Sequence, residues 1–192
     1  MKRVLLFLIM IVPTIFSCSD DKKVEKQLPP EPQVKSAVQV DPKVQKLEEL
    51  KKATATGLDA LQNMLPAEMS GIKRSKFSMT SNLGYATAQA DYEKNSKTYI
   101  HLALYDCAGE QGAAMYNNSY LSSLDKNEQN DAGYTKTIEM NGGKAIEKYE
   151  AATKVTTISF LGNGQILVVV AGKNIPAETL KEAITKMNMK IS

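Results

Sequence analysis

Two hairpin turns in the last third of the chain constrain its fold more than any other feature. Asn141-Gly142-Gly143 and Gly162-Asn163-Gly164 each separate two segments with the composition of β-strands. Asn and Gly tolerate the positive φ that two-residue hairpin turns demand. Strands joined by such short turns must be antiparallel. The sequence therefore predicts an antiparallel meander of four strands, over residues 134–140, 144–151, 154–161 and 165–171.

Residues 42–65 predict an amphipathic helix ahead of the strands. Asp41-Pro42 is a typical helix start, because Asp accepts hydrogen bonds from free N–H groups and Pro fits the first turn. Gly57 weakens the middle of this helix by up to about 1 kcal/mol relative to Ala, so we expect a bend or a break there. The stripe at helical spacing consists of Val44, Leu47, Leu50, Thr54, Leu58, Leu61 and Leu65.

The rest of the chain predicts further strands and two more helices around the meander. Because hairpins make the strands antiparallel, residues 66–192 are expected to form an α+β domain, with a sheet of about five or six strands and helices mainly on one face. Residues 166–170 are apolar at every position, which predicts a central strand covered on both faces. Strands are expected near 77–79 and over 85–92 and 97–106, helices over 110–124 and from Pro176 onward, and a polar loop over 125–133.

The order of these elements gives residues 66–192 a loose resemblance to Mog1/PsbP-type α+β domains. The resemblance rests on element order and on no motif. It implies a fold and nothing about activity, because one fold hosts many functions.

The first 17 residues have the pattern of a secretory signal peptide. Lys2 and Arg3 precede nine apolar residues, 4–12, and a membrane span would need about 20. A basic start, a short apolar core and a small residue before the cut (here Ser17) are the marks of a secreted chain. The sequence therefore predicts that residues 1–17 are cleaved.

A cysteine follows the predicted cleavage site directly. Ile15-Phe16-Ser17-Cys18 resembles the lipobox of bacterial lipoproteins, and the following Ser19-Asp20-Asp21 is similar to the Bacteroidetes type. The resemblance implies that Cys18 carries lipid and anchors the chain to the outer membrane, on its periplasmic or its surface-exposed face. A single acyl chain binds a membrane only marginally, so stable anchoring needs more than one. The alternative is a secreted protein in which Cys18 lies near the cut by chance.

Residues 18–41 predict a lipidated N-terminus followed by a disordered tether. The segment is polar and contains three prolines, and its few apolar residues show no helical clustering. Pro-rich chains of this kind are extended and act as spacers. The tether is expected to hold residues 42–192 away from the lipid headgroups.

The charge balance argues against a nucleic-acid partner. The chain has a formal net charge of +3, and removal of Lys2 and Arg3 with the signal peptide lowers it to +1. Nucleic-acid binding needs clustered Lys and Arg that neutralise phosphates. The densest basic run of the domain, residues 73–76, is too short, so no nucleic acid is expected.

One strand-to-helix turn holds the candidate ligand-site residues Asp106, Cys107 and Glu110. If Cys18 is lipidated, Cys107 has no partner for a disulfide, and we expect it to be buried as a small apolar residue. The single histidine, His101, is too far along the same strand to form a Cys/His hydrolase site with Cys107. No motif for a metal, a cofactor or a catalytic nucleophile is present, so no cofactor and no enzyme activity are expected.

The sequence therefore predicts an outer-envelope lipoprotein with a non-catalytic domain that binds an envelope protein or glycan, or assists assembly. One alternative is an envelope hydrolase, in which folding brings together two of the carboxylates of Asp106, Glu110, Glu139 and Glu147. The other is a structural tether that pairs with a second chain through helix 42–65.

Overall fold

The structure is a computed structural model that describes residues 41–192. The predictions for the signal peptide, for Cys18 and for the tether up to residue 40 lie outside these residues. The helices are α1 (Pro42–Lys52), α2 (Leu58–Asn63), α3 (Gly109–Ser119) and α4 (Ala177–Lys186), with a 3₁₀ turn at Leu121–Ser123. The strands are β1 (Glu68–Met69), β2 (Ile72–Lys73), β3 (Lys76–Thr80), β4 (Thr87–Asn95), β5 (Thr98–Asp106), β6 (Asn127–Asn130), β7 (Gly133–Met140), β8 (Gly143–Glu150), β9 (Val155–Gly162) and β10 (Ile166–Lys173).

Eight of these strands form one sheet in the order β3-β4-β5-β10-β9-β8-β7-β6, and all neighbours are antiparallel. Strands β1 and β2 form a separate small hairpin. The predicted α+β class and antiparallel sheet are confirmed, but the prediction of five or six strands was too low. The missed strand β6 lies in the predicted polar loop, and its four residues are all exposed and polar at the edge of the sheet.

The two hairpin turns adopt the backbone that the sequence predicts. Asn141 and Gly142 have φ of 49° and 81°, and Asn163 and Gly164 have φ of 52° and 76°. The second turn leads into β10, which lies between β5 and β9 inside the sheet. The central position predicted for this apolar strand is confirmed.

Helices cover both faces of the sheet, so the prediction of helices mainly on one face was wrong. On the front face, residues of α2, α4 and the β1–β2 hairpin pack on alternate strand residues such as Leu102, Ile158 and Val168. On the back face, α1 and α3 pack on the other set, including Ile146 and Leu167. Successive side chains of a strand point to opposite faces, so the apolar run of β10 supplies both layers.

The apolar stripe of residues 42–65 divides between these two faces. Asp41 Oδ1 accepts a hydrogen bond from Lys43 N at 2.8 Å and starts α1, as predicted. The helix ends at Lys52, earlier than Gly57, and α2 begins directly after that glycine. Leu50 packs in the back core, whereas Leu61 of α2 packs in the front core. Among residues 41–192, no helix is both long enough and apolar enough to cross a membrane.

Candidate functional site

Asp106 is a buried carboxylate that three N–H groups hold in place. Its side chain accepts hydrogen bonds from Ala108 N at 3.1 Å, from Gln165 Nε2 at 3.0 Å and from Thr56 N. Gln165 also donates to the carbonyl of Thr54 at 2.9 Å. The carboxylate therefore joins the end of β5 to the segment between α1 and α2, and its acceptor sites serve the fold.

Cys107 and Glu110 face different surroundings from Asp106. The Cys107 thiol is fully buried in the back core, and burial raises its pKa to about 12. A thiol with that pKa is an inert apolar side chain at neutral pH. Glu110 lies in the first turn of α3 and is exposed. The turn thus places the three candidate residues near one another in sequence without directing their side chains to one site.

Glu147 is a buried acid of the front face. Its side chain is 1% exposed and lies between Lys136 and Lys181, with Nζ distances of 3.0 and 2.8 Å. The Tyr134 hydroxyl donates to Glu147 Oε1 at 2.6 Å. Burial alone would raise the pKa of Glu147, but the contacts with Lys181, Tyr134 and Lys136 outweigh burial and lower it. Glu147 is therefore ionised and paired, which is unsuited to a proton-donating role.

Asp106 and Glu147, two of the four carboxylates named for a hydrolase, are too far apart to form a pair. Strand registers place Glu147 three strands from β5 and four residues along from Asp106. At about 4.8 Å per strand and about 3.3 Å per residue, their backbones are roughly 20 Å apart. Glu139 is exposed on β7, opposite Lys144.

His101 forms a pair with an acid that sequence reasoning missed. The register of the β4–β5 hairpin places it opposite Asp91, and Nδ1 lies 2.7 Å from Asp91 Oδ1. The sequence signal that could have predicted this pair is the turn at residues 95–98. A hairpin centred on that turn places Asp91 opposite His101. A cleft of about 430 Å³ adjoins the pair, lined also by Glu93 and Tyr99. Among the described residues, no serine, threonine or cysteine lines that cleft.

A larger opening lies on the back face, where α1 and α3 leave part of the sheet uncovered. We call it the back trough, and its volume is about 490 Å³, within the range typical of ligand sites. Met115 and Ser119 of α3 form one wall. Its floor and sides include Tyr105, Thr135, Thr157, Ser159 and Val169.

The back trough presents hydroxyl groups that the protein itself does not use. The side chains of Thr135, Thr157 and Ser159 make no hydrogen bond with any other described residue. Register aligns Thr135 and Thr157 across β7, β8 and β9 through Lys148, and Ser159 follows Thr157 on the same face. Tyr105 adds a half-buried ring that makes an edge contact with Tyr85, with ring centroids 6.5 Å apart. The trough therefore combines aromatic surface with free hydroxyl groups.

Within residues 41–192, no group of three or more His, Cys, Asp or Glu side chains is arranged to hold a metal ion. Comparisons with protein-family models, with curated proteins and with solved structures find no match for this chain. The resemblances drawn from the lipobox and from the order of elements therefore stay predictions, and the geometry of the domain carries the functional argument.

Proposed function

We propose that this chain is a lipid-anchored protein of the outer envelope, attached through Cys18, whose domain binds an envelope glycan without catalysis. The glycan site is the back trough. The observation that carries this proposal is the set of unpartnered hydroxyls at Thr135, Thr157 and Ser159 beside the ring of Tyr105.

The chemistry of the trough favours a neutral ligand with many hydroxyl groups. Hydroxyl side chains both donate and accept, so they pair with sugar hydroxyls in either sense. An aromatic ring offers an apolar face to the C–H side of a sugar while its edge stays polar. Three charged residues line the trough: Lys126, Glu128 and Lys148. Lys148 is paired with Glu150 at 2.7 Å, and Lys126 and Glu128 carry opposite charges, so these groups together add no net charge that would favour a charged ligand.

The absence of catalysis is proposed because three of the candidate reactive groups serve structural contacts. Asp106 is held by three N–H donors, Cys107 is buried with a raised pKa, and Glu147 is paired with two lysines. None of these three residues lines the back trough.

The alternative functions have less support in the geometry. A hydrolase would need two of the four named carboxylates at one cleft. None of the four lines the back trough or the cleft beside His101 and Asp91. A tether that pairs through helix 42–65 would need a free apolar stripe. Leu50 and Leu61 are instead 1% and 0% exposed in the domain's own cores, although Val44 is 50% exposed.

Binding is tested with the Cys18→Ser chain, which lacks the proposed anchor, and the neutral probes maltotetraose, cellotetraose and N-acetylchitotetraose. Because a ligand that binds only the native state stabilises it, at least one probe should raise the Tm. A Thr157→Val/Ser159→Ala double variant should weaken that binding about 10-fold or more, since each lost hydrogen bond is worth roughly 1 kcal/mol.

Thr156→Val is the matched control for this variant. Thr156 is the neighbour of Thr157 but points to the front face, where it is buried. The control should bind the neutral probe as the parent does. Equal binding by the double variant, or no stabilisation by any of the three probes, would contradict the glycan site.

Anchoring is tested by the intact mass of the protein purified from its native membrane, beside a Cys18→Ser form. The proposal expects a chain without residues 1–17 that carries two or three acyl chains, and loss of those chains in the variant. An unlipidated chain would remove the anchor from the proposal and leave the trough to be judged by the binding experiment.

A further inference from the structure

A second cleft opens on the front face, at the start of α4. We call it the helix cleft, and its volume is about 430 Å³. It is separate from the back trough, because Thr156 and Thr157 are consecutive residues of β9 that line one opening each. Its lining includes Tyr134, Tyr149, Lys154, Thr156, Pro176 and Ala177.

The first turn of α4 presents backbone N–H groups to this cleft. The N-cap residue is Pro176, whose ring cannot accept a hydrogen bond, so no side chain caps the helix. The first bond along the helix runs from Leu180 N to Pro176 O at 3.2 Å. The N–H groups of residues 177–179 therefore have no partner among the described residues, and the helix dipole adds partial positive charge there. Such a helix start is suited to an anion.

Thr156 supplies an independent indication that the cleft is suited to a ligand. Its side chain is only 4% exposed, yet its hydroxyl makes no hydrogen bond with a described residue. Among residues 41–192, the only fully enclosed side-chain oxygen or nitrogen without a hydrogen bond is Glu147 Oε2, which is instead held by its ion pair with Lys181. The Thr156 hydroxyl must therefore reach the cleft that its residue lines. Because buried polar groups are normally hydrogen-bonded, a nearly buried hydroxyl that is directed to a cleft is suited to donate to an acceptor on a ligand.

Within residues 41–192, Lys154 is a cation of the helix cleft that has no acidic partner. Its carbonyl accepts a hydrogen bond from Asn174 N at 3.0 Å, which ties its turn to the segment before α4. Glu178, in the first turn of α4, is engaged by Lys181 at 2.8 Å. The acid nearest the helix start is thus neutralised, and Lys154 makes the opening positive.

A pair of tyrosines forms the other wall. The rings of Tyr134 and Tyr149 are 5.8 Å apart and inclined by 32°. The Tyr134 hydroxyl is committed to Glu147, which fixes the orientation of its ring. Aromatic walls next to polar groups suit a ligand that has one apolar face and one polar end.

We propose that the helix cleft binds the oxyanion of an acidic sugar. Its carboxylate or phosphate accepts hydrogen bonds from the N–H groups of the first turn of α4 and from the Thr156 hydroxyl, with Lys154 as counter-charge. The sugar ring packs on the tyrosine wall. This site is additional to the neutral glycan site of the back trough and does not depend on it.

The test uses the Cys18→Ser chain and four probes: glucuronate, glucose 6-phosphate, inorganic phosphate and glucose. Binding is measured by titration of backbone amide chemical shifts. Glucuronate or glucose 6-phosphate should shift the amides of residues 154–156 and 177–179 and bind at least 10-fold more tightly than glucose. Whichever of the two binds more tightly identifies the anion as carboxylate or phosphate.

Ala177→Pro removes one of the proposed donors with little change in structure. Proline is favoured at the first position of a helix, and Pro176 has ψ of 146°, which the residue before a proline prefers. This variant and Thr156→Val should each weaken binding of the acidic sugar about 5-fold or more. Lys186→Gln, an exposed lysine in the last turn of the same helix, is the matched control and should leave binding unchanged.

Four outcomes would overturn the site or part of it. No shift with any probe overturns the site, and so does glucose binding as tightly as the acidic sugars. Unchanged affinity in both Ala177→Pro and Thr156→Val, with Tm preserved, overturns the assigned donors. Inorganic phosphate binding as tightly as glucose 6-phosphate overturns the role of the tyrosine wall. Each outcome is independent of the neutral probes, so failure here is distinguishable from failure of the back trough.

Discussion

The two faces of the sheet differ in how completely helices cover them, and consecutive residues show the contrast. Val168 of β10 is fully buried in the front core, whereas its neighbour Val169 is half-buried on the floor of the back trough. The front face is covered by α2, α4 and the β1–β2 hairpin. On the back face, α1 and α3 reach the positions of Leu167 and Ile146. The middle strands of the sheet are therefore enclosed on the front face and remain partly open on the back face.

The side chains of the strands agree with this division. Front positions of β5 and β9 are large and apolar, such as Leu102 and Phe160. On the back of β9, the positions that line the trough are small and polar, namely Thr157 and Ser159. An uncovered face made of small polar side chains stays soluble and leaves room above it.

Glu147→Gln tests the charged site on the otherwise apolar front face. The variant leaves the ammonium groups of Lys136 and Lys181 without their buried partner, so we expect a loss of about 3 kcal/mol in unfolding free energy at pH 7. The measurement is urea unfolding of both proteins. Glu178→Gln is the control, because Glu178 contacts the same Lys181 from an exposed position, and it should change stability little.

The loss caused by Glu147→Gln should depend on pH. The native pKa of Glu147 is lowered, so its ionised form contributes stability above the unfolded-state pKa of about 4.3. That contribution is lost as the pH falls through the lower native pKa. The difference between the two proteins should therefore shrink below about pH 4. A difference that stays constant down to pH 3 would contradict the ion pair.

Val168→Ala and Val169→Ala compare the two faces with the same substitution on one strand. Val168→Ala creates a cavity in the front core and should cost about 2 kcal/mol. Val169→Ala removes atoms that the trough already exposes in part, so it should cost less than about 1 kcal/mol. Chemical unfolding of the two variants checks the difference. Equal costs would mean that the back face is as well covered as the front.

Asp106→Asn tests the connection between the faces, because segment 53–57 passes from α1 on the back to α2 on the front. Asn has one acceptor oxygen where the carboxylate has two, so one of three N–H donors loses its partner. We expect a loss of about 1.5 kcal/mol, measured by urea unfolding. We also expect unchanged binding of any probe at the back trough. Weaker binding at unchanged stability would restore Asp106 as a ligand residue.

The elements that the sequence predicted are those with strong local signals. The glycine-rich turns, the apolar run of β10 and the Asp41-Pro42 helix start all act within a few residues, and each is present in the structure. Strand β6 was missed because its residues Asn127, Glu128, Gln129 and Asn130 are polar, and only pairing with β7 makes them a strand. The distribution of helices over two faces was mispredicted because it depends on where a chain crosses the sheet edge.

The candidate sites were harder to predict than the fold. Asp106 was found as an acid at a strand-to-helix turn, but its three N–H partners come from residues as distant in sequence as Thr56 and Gln165. The hydroxyls of Thr157 and Ser159 carry no motif, and only strand register and helix coverage make them a surface. The burial of Glu147 was not predicted, because its partner Lys181 lies on α4, far from it in sequence.

The most direct test of the account is to map backbone amide shifts of the Cys18→Ser chain during titration with the neutral tetrasaccharide that stabilises it most. We expect the amides that shift to cluster on the back face, around Ala103, Thr157, Ser159 and Val169. These shift changes should be lost in the Thr157→Val/Ser159→Ala variant. Shifts confined to the front face, or no saturable shifts, would contradict a glycan site in the back trough.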